Sequence, residues 1–124
     1  MLLGSFYTIK ESSKDGQTIR VKVEFNPAHD IFKGHFPDLP VVPGVCMMQM
    51  IKEIIEDVLG KATNLVHAAE MKFMAVINPQ ENNRIQSTIK YTTDENGAIH
   101  IIASLYKDEL VHFKFKGQFR VSGH

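Results

Sequence analysis

Hydrophobic and polar residues alternate strictly between Ile19 and Phe25, near the start of the chain. This period of two, together with an earlier apolar run at residues 6–10, predicts two β-strands. The polar stretch between them ends in Asp15 and Gly16, a common turn pair. The two strands are therefore expected to form a hairpin.

Residues 26–43 contain four of the five prolines and also Gly34. Proline has no N–H group for a helix or a sheet ladder, so neither a long helix nor a central strand is expected here. An ordered loop of about 18 residues is longer than most connections in compact domains, which favours a functional role.

Apolar residues then recur at helical spacing over residues 45–59, and Gly60 follows at the position of a C-terminal cap. This pattern predicts one long helix. Its first two turns are apolar almost all round, whereas the charged residues come later. The N-terminal half of the helix is therefore expected to enter the core.

Four further strands are predicted at residues 65–77, 83–93, 98–106 and 109–121. Residues 110–116 alternate, which places one apolar face on the core and one basic face outside. The element order predicts an α+β fold in which an antiparallel sheet of about six strands covers a single helix. Since one helix cannot shield both faces of such a sheet, a homodimer with a continuous sheet is expected.

The composition fits a single globular domain over residues 1–124, with 44% hydrophobic residues. Fourteen basic residues balance fourteen acidic ones, which gives no sign of nucleic-acid binding. The single cysteine excludes an internal disulfide, and no apolar run is long enough to span a membrane, so a cytoplasmic protein is expected. The histidines at positions 29, 67, 100, 112 and 124 lack metal-ligand spacing, and no metal is expected.

Residues 34–45 read GHFPDLPVVPGV. They closely resemble the G-H-F-P-x-x-P-x-x-P-G-V signature of the 3-hydroxyacyl-acyl-carrier-protein dehydratases. Residues 72–79, KFMAVINP, resemble the R-F-x-x-P-V-x-P-G strand of that family without its glycine. Several fixed residues in one short window make the first motif specific.

The resemblance covers about residues 25–90. It implies the hot-dog fold, a long helix wrapped by an antiparallel sheet, in dimers or trimers of dimers. It also implies reversible removal of water from a 3-hydroxyacyl chain, carried as a thioester on acyl carrier protein or coenzyme A, in fatty-acid or related biosynthesis. No dissociable cofactor is expected, because only protons are transferred.

His35 is the candidate base. Elimination of water from a 3-hydroxyacyl thioester requires removal of the C2 proton, and an imidazole with a pKa of about 6.5 suits this step at neutral pH. The resemblance places the catalytic histidine at this position. Free backbone N–H groups at the helix start, near Gly44 and Val45, would stabilise the developing enolate.

Gln49 departs from the family pattern. The resemblance implies a Glu or Asp at this position, which binds or protonates the leaving hydroxyl and reaches the histidine across the dimer interface. An amide can orient a hydroxyl or a water but cannot donate a proton near neutral pH, and a general acid is worth about 10²–10⁴ in rate.

Three alternatives follow for catalysis. The protein is a slow dehydratase in which water held by Gln49 delivers the proton, or it binds acyl thioesters without dehydrating them, or Glu53 is a substitute acid one helical turn further on. Of these, slow catalysis is favoured and Glu53 is expected to lie on a solvated face. Thioester hydrolysis is a further possibility, but it needs a carboxylate to activate water, so Gln49 counts against it.

Apolar and soft side chains near the helix start are candidate contacts for the acyl chain: Phe32, Phe36, Val42, Cys46 and Met48. The helix dipole can lower the pKa of a thiol in the first turn, as at Cys46, although burial as a small hydrophobic residue is the favoured interpretation. An acidic carrier would need a basic surface, and the candidates are Lys33, Lys52, Lys72 and Arg84.

Overall fold

The computed structural model describes residues 1–34 and 40–122. Along these residues the elements are β1 (Tyr7–Asp15), β2 (Thr18–Phe25), α1 (Ile31–Gly34), α2 (Gly44–Leu59), β3 (Thr63–Phe73), β4 (Arg84–Thr93), β5 (Ala98–Lys107) and β6 (Leu110–Val121). The predicted order of two strands, one long helix and four strands is confirmed. The short helix α1 was not predicted, and His35 and Phe36 lie outside the described residues.

The six strands form one antiparallel sheet in the order β1-β2-β4-β5-β6-β3. Strands β1 and β3 therefore lie at the two edges. Alternate residues of the central strands face α2, and the register brings Ile19 opposite Ile89 on the buried side. The expected α+β arrangement, with a sheet wrapped around one long helix, is confirmed.

Helix α2 begins one residue before the predicted start and ends as predicted. Gly60 caps it with φ of 68°, a left-handed conformation that suits glycine, and its N–H donates to the carbonyl of Glu56 at 2.9 Å. The most deeply buried residues lie in the middle of the helix, whereas Val45 at its start is 76% exposed. The prediction that the N-terminal half enters the core is confirmed, since four of its residues are buried in the core: Cys46, Met47, Met50 and Ile51.

Strand β1 extends further than predicted. The polar stretch that was expected to form the hairpin turn instead continues the strand, and Asp15 pairs with Thr18 around the turn. Polar residues are tolerated there because β1 is an edge strand with exposed side chains. Strand β3 is shorter than predicted and ends at Phe73.

The alternation of β6 is interrupted at His112, which was expected on the outer, basic face but is 1% exposed. A bulge explains the difference: Leu105 pairs with Phe113 and Tyr106 with Val111, so that His112 is an extra residue. Beyond the bulge, phenylalanines face the core and lysines face outward, as predicted.

His112 connects β6 to the segment that follows β3. Its backbone carbonyl accepts hydrogen bonds from the N–H groups of Met74 and Ala75, and its Nδ1 lies 3.2 Å from the carbonyl oxygen of Ala75. These contacts fix the chain directly after Phe73. No helix among the described residues is long and apolar enough to cross a membrane.

Candidate functional site

The start of α2 provides backbone N–H groups. Pro43 adopts an extended conformation before the helix, and its carbonyl accepts hydrogen bonds from the N–H groups of Cys46 and Met47 at 3.0 and 3.2 Å. Gly44 and Val45 precede these bonds, so their N–H groups have no carbonyl partner within the helix. Together with the positive end of the helix dipole, such groups can stabilise a developing oxyanion.

The ring of Phe73 lies close to Gly44 at the start of α2. A Cβ atom at Gly44 would lie 2.7 Å from Cε1 of Phe73, so a larger residue at this position would force the ring to shift. Phe73 is 54% exposed and stacks on Phe113 with the ring centroids 4.9 Å apart. Phe73 was not predicted as a site residue, although Phe73 belongs to the KFMAVINP stretch that carries the second part of the resemblance.

Further exposed apolar side chains lie along β3, after it and at the start of α2. Several residues on β3, on the segment that follows it and at the start of α2 are 40–76% exposed; we call this surface the apolar edge, and its residues are Val45, Leu65, Val66, Met71, Phe73, Met74 and Val76. It coincides with the free edge of the sheet at β3. Contiguous apolar surface beside an unpaired strand is typical of an interaction site.

Phe32 and Val42, two of the predicted substrate contacts, are buried in the described chain. The ring of Phe32 is 4% exposed and stacks on Phe6, with centroids 5.0 Å apart. Val42 is 3% exposed, and its N–H donates to the carbonyl of Ile77 at 2.9 Å. Both residues pack in the hydrophobic core, and their contact with an acyl chain stays a prediction.

Cys46 and Met48 lie further along α2. Cys46 is buried, which confirms its interpretation as a small core residue, while Met48 is half-buried and packs against the core. Burial and the negative charge of Glu53 raise the pKa of the Cys46 thiol, a shift opposite to the one expected from the helix dipole alone. Cys46 is thus poorly suited to act as a nucleophile.

Glu53 is 2% exposed, so its expected place on a solvated helix face is wrong. Its carboxylate accepts four hydrogen bonds. Oε2 accepts from Nε2 of Gln49 at 2.8 Å and from the N–H of Leu2 at 2.9 Å. Oε1 accepts from the N–H of Leu3 at 2.7 Å and from the hydroxyl of Tyr7 at 3.1 Å. We call these four donors and Glu53 the carboxylate cluster.

The carboxylate cluster keeps Glu53 ionised. Burial raises the pKa of this carboxyl, but hydrogen bonds from Leu2, Gln49, Leu3 and Tyr7 outweigh burial, and the pKa lies below its usual range. Burial and the charge of Glu53 raise the pKa of Tyr7, so its hydroxyl remains a donor. An ionised carboxylate with four donors cannot supply a proton, which argues against Glu53 as a substitute acid.

The four residues proposed as a basic surface each lie within salt-bridge distance of a carboxylate. The pairs are Lys33 with Asp30 at 3.4 Å, Lys52 with Glu56 at 3.1 Å, Lys72 with Glu70 at 3.3 Å and Arg84 with Glu24 at 2.7 Å. Each of these positive charges has a carboxylate nearby, although Glu24 also lies 3.8 Å from Nζ of Lys10, and a basic surface for an acidic carrier stays a prediction.

A groove of about 430 Å³ crosses the outer face of the sheet, on the side away from α2. Its lining includes Lys90, Tyr91, His100, Ile102 and Lys116. None of the predicted site residues within the described parts of the chain contributes to this lining. The start of α2 therefore remains the candidate site on chemical grounds.

Comparisons with known proteins identify the family and the fold of the chain. The sequence model of the ApeI-like family, described as ApeI dehydratase, matches residues 11–117. A 3-hydroxyacyl-[acyl-carrier-protein] dehydratase FabZ from Rickettsia bellii is 26% identical over 92 residues, which are 74% of this chain and 58% of that protein. The chain thus spans less than two thirds of this relative's length. A FabZ from Oenococcus oeni is 23% identical over 97 residues, 73% of this chain and 70% of that protein.

Two solved structures share the fold at low sequence identity. One is described as the dehydratase heterocomplex ApeI:P from Xenorhabdus doucetiae, with a TM-score of 0.72, 18% identity, and coverage of 90% of this chain and 96% of that chain. The other is described as an (R)-hydratase from A. caviae involved in PHA biosynthesis, with a TM-score of 0.66, 11% identity, and coverage of 90% and 99%. Because the family match extends over most of its length, the chain belongs to the ApeI-like dehydratase family, and it has the hot-dog fold.

Proposed function

We propose that the protein is a slow dehydratase acting on 3-hydroxyacyl thioesters. His35 removes the C2 proton, and the N–H groups of Gly44 and Val45 stabilise the resulting enolate thioester. The C3–O bond then breaks as a water molecule held by Gln49 passes a proton to the leaving hydroxyl and takes the C2 proton back from the protonated His35, so that water leaves and His35 is neutral again. The observation that carries the proposal is the start of α2, where the N–H groups of Gly44 and Val45 have no carbonyl partner within the helix and Gln49 follows on the same helix.

The rate is limited by the missing acid. The Gln49 amide cannot donate its proton at neutral pH, and Glu53 is ionised inside the carboxylate cluster. Loss of a positioned general acid costs about 10²–10⁴ in rate. We therefore expect turnover that is measurable but well below that of an enzyme with a carboxylic acid at position 49.

The active unit is a homodimer joined along β3. This strand is a free edge of the sheet in a single chain, and the apolar edge lies along it. Pairing with a second copy would satisfy the unpaired backbone groups of β3 and cover exposed side chains such as Val66 and Phe73. In such a dimer, Gln49 of one copy and His35 of the other form one active site. The thioester carrier is acyl carrier protein or coenzyme A.

A heterodimer with a partner of the same fold is a second candidate for the active unit. The absence of an acid at Gln49 favours it. The Xenorhabdus protein of similar fold is described as a heterocomplex. A partner chain that carries a carboxylic acid at the position of Gln49 would restore the general acid next to His35. In that case the isolated chain would show only the slow reaction, and addition of the partner would increase the rate by about 10²–10⁴.

Enoyl formation from a purified 3-hydroxyacyl thioester tests the proposal. The chain itself should produce the enoyl thioester slowly, the His35→Ala variant should produce none, and Gln49→Glu should increase the rate by about 100-fold or more. Release of free thiol in the same assay would indicate hydrolysis instead. The proposal is wrong if wild-type protein forms no enoyl product while Gln49→Glu does, since the natural chain would then bind acyl thioesters without dehydrating them.

A further inference from the structure

We infer that Glu53 is a positioning residue, which turns the amide of Gln49 so that its carbonyl oxygen faces the substrate as a hydrogen-bond acceptor. The inference rests on the proposed function for the identity of the ligand, a thioester with a hydroxyl group at C3. In this arrangement the C3 hydroxyl donates a hydrogen bond to Oε1 of Gln49. Gln49 thereby selects hydroxylated chains over saturated ones.

The hydrogen bond between the two side chains determines which end of the amide lies where. An ionised carboxylate has only acceptor oxygens, so the group 2.8 Å from Oε2 of Glu53 must be the NH₂ of Gln49. The opposite arrangement would place two acceptor oxygens in contact. The amide nitrogen of Gln49 therefore donates to Glu53. Among the described residues no hydrogen bond uses Oε1 of Gln49, so this oxygen can accept one from a ligand.

Glu53 is itself held from several directions. The N–H groups of Leu2 and Leu3 approach it from the N-terminal segment, and the hydroxyl of Tyr7 approaches it from β1. Tyr7 is 1% exposed and cannot move without disturbing the core. A carboxylate fixed at this many points keeps its orientation, and through it the orientation of Gln49.

Gln49 is half-buried, in contrast to Glu53, and lies closer to the start of α2. Residues spaced by three or four positions share one side of a helix, so Gln49 lies between the buried Glu53 and the free N–H groups at the helix start. An acceptor at this position can receive the hydroxyl proton of a chain whose thioester carbonyl lies at the helix start. A saturated chain has no such donor and would leave Oε1 without its partner.

One hydrogen bond of this kind corresponds to a preference of about fivefold. The measurement is the ratio of Kd values for two pantetheine thioesters of equal chain length, one saturated and one with a 3-hydroxyl group. Both titrations use the His35→Ala background so that the ligand is not consumed. This background is expected to bind the hydroxylated thioester about fivefold more tightly.

Glu53→Gln is the main test variant. A second amide can both donate and accept, so it no longer dictates the orientation of Gln49, and the ratio should fall to about one. Tyr7→Phe, which removes one donor from Glu53 but keeps the ring, should lower the ratio partly. Asp57→Asn, a matched change at an exposed position of the same helix, should leave the ratio unchanged.

A double-mutant cycle separates positioning from a purely structural role. Gln49→Met should abolish the preference, and adding Glu53→Gln to it should change the ratio no further, because Glu53 acts only through Gln49. A preference that survives in Gln49→Met and falls only when Glu53→Gln is added would contradict the inference. So would a folded Glu53→Gln variant that retains the full fivefold ratio.

The side-chain amide signals of Gln49 in the NMR spectrum of the ligand-free protein provide an independent readout. One N–H proton should exchange slowly and resonate downfield in wild-type protein, and it should lose both properties in Glu53→Gln. Equal amide spectra in the two proteins would overturn the inferred orientation. If neither thioester binds but the amide spectrum is as expected, the proposed ligand is wrong. The inferred orientation of Gln49 would still be supported.

Discussion

Glu53 is a charged residue on a helix whose other buried residues are apolar, and four donors make its burial possible. Nothing in the spacing of charged residues on α2 distinguishes Glu53 from Glu56, which accepts from Thr63 and Lys52. Glu53 was therefore predicted on a solvated face. Three of its four donors come from the N-terminal segment and β1, more than 40 residues away, and only the folded chain brings them to Glu53.

Glu53→Gln should destabilise the protein at pH 7 by about 1–3 kcal/mol, because the amide disturbs a buried set of donors. The folded-state pKa of Glu53 lies below its usual value of 4.5, so the unfolded chain binds more protons at acid pH. The stabilisation is complete above about pH 5 and is lost as the pH falls through the folded pKa.

Urea unfolding curves measured from pH 7 to pH 3 test this. The stability of wild-type protein should decrease more steeply below pH 5 than that of Glu53→Gln. The exposed Asp57→Asn variant should stay within about 0.5 kcal/mol of wild type at neutral pH. Parallel pH profiles for wild type and Glu53→Gln would mean that Glu53 titrates normally in the folded state.

Cys46 should react slowly with thiol reagents at neutral pH. Its thiol is buried, and burial and the charge of Glu53 both raise its pKa, so little thiolate is present. The rate of modification by iodoacetamide should rise steeply when the protein is unfolded in urea. A native rate equal to the unfolded rate would show that Cys46 is accessible and would contradict its place in the core.

At the scale of elements, the long helix and all six strands were predicted, and the core positions of α2, β2, β4 and β5 follow a regular spacing. The errors occurred where tertiary context overrides local pattern. The bulge at His112 depends on the pairing of β6 with β5, and the extension of β1 through polar residues depends on its place at the sheet edge. Residues 26–34 and 40–43, the described part of the predicted loop, lie outside any long helix or strand before α2 as predicted, but α1 was too short to predict.

The free edge at β3 yields a prediction about assembly. Met71→Lys places a charge among the apolar residues of this edge and should shift the protein from dimer to monomer. Analytical ultracentrifugation measures the change. The matched control is Ile102→Lys, which replaces an exposed apolar residue, 57% exposed, on the outer face of the sheet. If both variants remain dimeric, β3 is not the interface.

For the whole molecule, the sequence predicted the hot-dog fold and the dehydratase family, because a proline-rich motif before an apolar helix is specific. The organisation of the site was less predictable. Phe73 lies in contact with Gly44 although 29 positions separate them, and the carboxylate cluster joins three separate segments of the chain. These contacts arise from the packing of β1 and β3 around α2, which local sequence patterns do not encode.

In the proposed dimer, two copies of the chain share each site, with His35 from one and Gln49 from the other. Subunit complementation tests it most directly. His35→Ala and Gln49→Met are prepared separately, unfolded together and refolded as a mixture, and enoyl formation is measured against wild-type protein. Random reassortment gives heterodimers with one complete site each, so the mixture should recover about a quarter of wild-type activity while each variant alone remains inactive. A mixture as inactive as its components would show that the two residues do not meet across a dimer interface.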